Sequence, residues 1–155
     1  MIPVFLSGAA RWLLVLHALC GFALLGASTH VAVAAVQVLR GRRASLRMTQ
    51  LQPVVIASLI AAAVVFGLLV YPHYRVNVRG LVLDRGEPWA SNLFDMKEYA
   101  ALLAVPLAAA LAAMRRHVEP GGVLAVPFAF CALALFALVA FTAVAGLVVT
   151  SVKGV

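Results

Sequence analysis

Long apolar runs separated by short polar segments set the expected elements of this chain. From Trp12 to Leu39 there are 28 residues without an Asp, Glu, Lys or Arg. As a helix this run would extend ~42 Å, longer than a hydrocarbon core of about 30 Å, so it must tilt or protrude. A secretory signal would have an apolar core of only about 7–15 residues and a small-residue cleavage site, so a retained helix is the better reading. The second run is Pro53 to Tyr71, with Pro53 suited to a first helical turn. The third, by strict apolarity, is Tyr99 to Met114 and would reach only ~24 Å. Extending it back to Phe94 solves the length problem and brings Asp95, Lys97 and Glu98 into a helix at the membrane edge. The fourth is Val123 to Val152, and Pro106 and Pro127 are expected to kink the last two runs. None alternates apolar and polar residues as barrel strands do. The expected fold is therefore all-α: a polytopic membrane protein with four transmembrane helices in an up-down-up-down bundle. The expected organisation is a single membrane domain over 1–155, with spans at about 12–39, 53–71, 94–114 and 123–152 and an outer loop at 72–93.

Composition removes the competing classes. Hydrophobic residues make up 65% of the chain and charged residues 11%, against about 25% charged in soluble domains. A water-soluble fold of this size could not hide so much apolar surface, and a disordered chain would need the opposite balance. The net charge of +7 would suggest nucleic acid in a soluble protein. Here the basic residues lie between apolar runs, where topology and lipid headgroups account for them, and no nucleic acid is expected. Cys20 and Cys131 lie within apolar runs and read as small hydrophobes.

Arg40, Arg42, Arg43 and Arg47 follow the first run, and only Arg11 precedes it. The positive-inside rule then puts loops 40–52 and 115–122 in the cytoplasm of a bacterial inner membrane, with both termini and loop 72–93 outside. Lys153 adds to the outer side of that tally.

Candidate chemistry concentrates between Tyr71 and Tyr99, where Asp84, Glu87, Asp95 and Glu98 balance Arg75, Arg79, Arg85 and Lys97. Cancelling charges suggest local ion pairing, with Asp95, Lys97 and Glu98 as ion-pair or proton-carrying candidates. Asn92 and Asp95 resemble a capping pair for the third helix, and Asp84 to Pro88 reads as a turn. His17 and His30 lie inside the first run, where ionisable groups are costly and functional candidates by default. Their spacing puts them ~20 Å apart along a helix and about 140° apart around it, so one ligand cannot use both. His17 is near the outer edge, as is His73, and Arg75 and Arg79 could hold haem propionates there. His30 is expected in a close helix–helix contact, which makes His17 the more important of the two for binding.

Two functions compete. One is a non-catalytic accessory or structural subunit of a larger membrane complex, with the lipid bilayer and other membrane subunits as partners. The other is a small b-type cytochrome or quinone-site redox protein, with haem b or quinone bound around His17, His73, Arg75 and Arg79 and no metal besides the haem iron. No catalytic residues are expected: the serines lack a triad-like or G-x-S-x-G context, and the methionines lack ligand spacing.

Overall fold

The structure, a computed structural model, describes residues 5–45 and 47–152. Leu46, the first four residues and the tail with Lys153 lie outside the described residues. Among the described residues every regular element is helical. Helix α1 runs from Ala10 to Leu39 and is entered through a 3-10 turn at Ser7–Ala9. Its end is set by Gly41, whose φ of 70° few side chains tolerate. The Arg42 amide donates to the Gln37 carbonyl (2.9 Å) and the Gly41 amide to that of Val38 (3.1 Å). This pair of bonds is a Schellman cap, and it fixes the backbone that carries Arg40 and Arg42.

Helix α2 covers Gln52–His73, follows a π-helical turn at Arg47–Leu51, and has Pro53 at its start, where a missing N–H costs nothing. It does not stop at the membrane edge. A π-helical segment, Tyr74–Leu83, and a single α-turn, Asp84–Gly86, continue it into one 40-residue helical stretch, Arg47–Gly86. The outer loop expected at 72–93 is thus mostly helix. Pro72 removes one rung of the i→i−4 ladder, and the chain responds by widening into π geometry directly afterwards. The Tyr74 amide reaches the carbonyls of both Tyr71 and Val70.

The break comes at Glu87, which precedes a proline and leaves helical geometry (φ −137°, ψ 65°). Helix α3 then begins at Pro88, six residues before the expected Phe94, and ends at Met114. Asn92 and Asp95 are consequently inside its first turns and do not cap it. Helix α4, Ala125–Val152, has Pro127 in its first turn, where no kink is required; Pro106 alone lies deep in a helix of this second pair. The turn before α4 uses Gly121 (φ 67°), whose amide donates to Val38 at the end of α1 (3.3 Å). The segments after α1 and after α3 therefore meet at one end of the molecule.

Four helical stretches are long and apolar enough to cross a membrane: Ser7–Leu39, Arg47–Gly86, Pro88–Met114 and Ala125–Val152. This is an integral membrane protein by build. α1 packs against α2 and α4, α3 packs mainly on α4, and the α2–α3 seam is the thinnest. The main core joins Leu24, Ala27, Val31 and Ala35 to Ile56 and Ile60, Ala104, Ala108 and Leu111, and Phe128, Ala132, Leu135 and Val139. Alanine at these contacts lets backbones approach closely, which is how helices associate where lipid is as apolar as the core. A second cluster, Tyr74, Val78, Leu83, Ala90, Phe94 and Val149, closes the other end.

The two ends differ in charge. The end formed by 40–47 and 115–124 carries Arg40, Arg42, Arg43, Arg47, Arg115 and Arg116 against Glu119 alone. The opposite, mixed-charge end carries all four remaining acids.

Candidate functional site

The continuation of α2 past His73 lays a polar helical segment against the first turns of α3. Arg79 grips Asp95 with both guanidinium nitrogens, at 2.6 and 3.0 Å. Its Nε lies 3.5 Å from Asp84. Asp84 in turn accepts a hydrogen bond from the Ser91 hydroxyl, and Glu87 accepts one from the Trp89 indole. The Arg79 and Asp95 side chains keep 26% and 35% of their exposure, so the fork is partly withdrawn from water. Beneath it Tyr74 stacks on Phe94, with ring centres 4.3 Å apart and planes 23° apart. The Lys97 ammonium sits 4.9 Å from the centre of the Phe94 ring, and its stem crosses Gly146 of α4. No carboxylate approaches Lys97 within ion-pair distance among the described residues.

His17 points into the bundle. Its Nδ1 is 2.8 Å from the Ala63 carbonyl, so the bond is made by the tautomer that carries the proton there. The ring lies over the next turn of α2 at Gly67, where a Cβ would come within 3.3 Å of Cε1 and 3.4 Å of Nδ1. Gly67 is the slot that admits the imidazole, a role that its place in an otherwise apolar helix did not announce.

His73 is 2% exposed, and neither ring nitrogen has a partner; the buried Tyr74 hydroxyl is also unpartnered. The structure does not bring His17 and His73 together. From Gly67 to His73 is ~9 Å of rise and about 120° around the helix. A shared metal would need both nitrogens about 2 Å from it. Of the two arginines expected to hold propionates, Arg79 is committed to Asp95 and Asp84, while Arg75 is exposed with its guanidinium 6.0 Å over the Tyr71 ring. Glu98 is half-buried beside these groups, without an ion pair among the described residues. No three His, Cys, Asp or Glu side chains gather as a metal site among the described residues.

His30 departs from its expected helix–helix contact. It is exposed on the outer surface of the bundle, while Ser28 and Val31 beside it are fully buried. Sequence reasoning also missed Asp84 and Ser91 as partners in the α2–α3 clasp. The signal for them was Pro88: placed at a helix start, it puts Ser91 on the first turn of α3, within reach of Asp84.

No known protein family, curated protein or solved structure matches this chain.

Proposed function

We propose that the protein is a non-catalytic accessory subunit of a larger membrane complex, held to its partner through the α1 surface around His30. The exposed imidazole of His30 is the observation that carries this reading. It lies 18 residues from Trp12 and 10 from Arg40, which is ~27 Å and ~15 Å along the helix and too deep for its ring to reach either interface. Polar side chains at such depth almost always face protein or a water-filled cavity, because bare lipid offers no hydrogen bond. A polar group of a neighbouring subunit supplies that partner. At the mixed-charge end Arg79, Asp84 and Asp95 are occupied in clasping α2 to α3, which supports the same reading.

The test places a photo-crosslinking amino acid at position 30 in native membranes and identifies the adduct by mass spectrometry. A discrete adduct with a different membrane protein is expected. His30→Ala should lower co-purification of that protein about 3- to 30-fold, the range of an interhelical hydrogen bond, and His17→Ala should leave it unchanged. Adducts to lipid alone, or only to a second copy of this chain, would overturn the reading.

A second reading, a haem b or quinone site at the mixed-charge end, draws support from the unpartnered nitrogens of His73 and hydroxyl of Tyr74. Either the His73 N–H or the Tyr74 hydroxyl would donate a hydrogen bond to a quinone carbonyl. The separation of His17 from His73 weighs against haem held by both. An absorption spectrum of the purified protein decides for or against haem, and lipid extraction with quinone analysis does so for quinone.

A further inference from the structure

A groove runs along the outside of the α1–α4 seam, at the arginine-rich end. It has a volume of about 510 Å³ and is walled by Ala32, Val33 and Val36 of α1 and Leu133 and Phe136 of α4, with Arg40 and Arg42 at its mouth. We infer that this groove is a binding site for an anionic phospholipid, whose acyl chain lies on the apolar wall and whose phosphate is held by Arg40 and Arg42.

Length supports this occupant. Thr29 and Arg40, both lining residues, are 11 residues apart, a rise of ~16 Å and close to one leaflet of a hydrocarbon core about 30 Å thick. The charged mouth thus falls where a headgroup would be when the chain fills the groove. Charge agrees with length. Neither guanidinium has an ion-pair partner among the described residues, and six arginines face only Glu119 at this end. The arginine backbones are also pre-set, because the Schellman cap fixes residues 40–42 on the end of α1. Two planar guanidiniums held in this way suit the paired oxygens of a phosphodiester. The α1 walls Ala32, Val33 and Val36 lie about 160°, 60° and 120° around the helix from His30, so the groove flanks the His30 face.

The experiment is native mass spectrometry of the full chain in a mild detergent. It is titrated with dioleoyl phosphatidylglycerol, with dioleoyl phosphatidylcholine and, separately, with inorganic phosphate. The expected result is retention of phosphatidylglycerol at least tenfold tighter than phosphatidylcholine, with no competition from phosphate. An arginine near an anionic headgroup contributes about fivefold in affinity, so Arg40→Gln with Arg42→Gln should weaken phosphatidylglycerol binding about 25-fold. Leu133→Trp, which fills the groove without changing charge, should weaken both lipids. Arg115→Gln with Arg116→Gln alters charge at the same end outside the groove and should change binding less than threefold. Equal binding of both lipids, equal loss in the two arginine pairs, competition by free phosphate, or binding unchanged by Leu133→Trp would each overturn the site.

Discussion

Neutralising Asp95 tests whether the clasp between the α2 extension and α3 is structural. Asp95→Asn removes a carboxylate that takes two guanidinium bonds, at 2.6 and 3.0 Å. Hydrogen bonds to charged groups contribute about 1.5–3 kcal/mol each when well buried. The side chains here retain roughly a quarter to a third of their exposure, so water recovers part of that loss. Asp84 also remains 3.5 Å from Nε and continues to neutralise Arg79. The expected cost is about 1–2 kcal/mol.

Arg79→Ala should cost more, about 2–4 kcal/mol, because it strands two carboxylates instead of one cation that keeps a partner. For a chain of this size ~1 kcal/mol corresponds to about 2–4 °C in midpoint. Asp95→Asn should therefore lower the thermal midpoint by about 2–8 °C and Arg79→Ala by more. Far-UV circular dichroism in detergent micelles measures both, and the double mutant closes a thermodynamic cycle. A coupling of about 1–2 kcal/mol is expected. Additivity within about 0.3 kcal/mol would refute the reasoning, since independent sites behave that way. So would an Asp95→Asn cost as large as that of Arg79→Ala.

Gly67→Val should destabilise the bundle by pushing the His17 ring off α2, and the penalty should shrink in a His17→Ala background; equal penalties in the two backgrounds would remove Gly67 as the imidazole slot. Lys97→Met should leave the thermal midpoint unchanged or raise it, because no carboxylate among the described residues pairs with the ammonium and its contact with Phe94 is worth only about 0.5–2 kcal/mol. A fall of more than about 8 °C would show a structural partner for Lys97. With Cys20 and Cys131 replaced by alanine, Arg43→Cys and Arg116→Cys should react with an impermeant thiol reagent from the same membrane side and Trp89→Cys from the other. In intact cells Trp89→Cys alone should label, if arginines are retained in the cytoplasm; labelling of Arg43→Cys in intact cells would reverse the orientation.

The four long helices were legible because a run of about 20 apolar residues leaves a bilayer-spanning helix as the economical solution. The segment after Tyr71 was not. Its prolines, glycines and charges read as a loop, yet a proline inside a membrane helix can be absorbed by a local change of helical register, and composition does not say when. Once Tyr74–Leu83 is helical, Arg79 falls opposite Asp95, a pair suggested by their cancelling charge. The start of α3 is hidden for a related reason: the apolar run begins only after Phe94, whereas Pro88 marks the helix start more sharply than the first apolar residue does. Gly67 could not be assigned from sequence at all, because its meaning depends on which α1 side chain lies over it.

The two histidines of α1 illustrate what helical geometry fixes in advance and what packing decides. Thirteen residues apart, they stand about 140° from each other around the helix, so if either faces α2 the other must face away from it. Which one turns inward depends on α2. Its Gly67 opens a slot one turn after the Ala63 carbonyl, and that combination accepts His17. His30 is consequently left on the outer surface, at a depth where lipid cannot satisfy it. A sequence reading favours His17 for binding because it lies near other polar residues, but an imidazole bonded to a backbone carbonyl within its own chain has one nitrogen already committed. The outward histidine makes no hydrogen bond to a described residue, and for that reason, under the accessory-subunit role proposed above, loss of His30, more than loss of His17, should release a partner subunit.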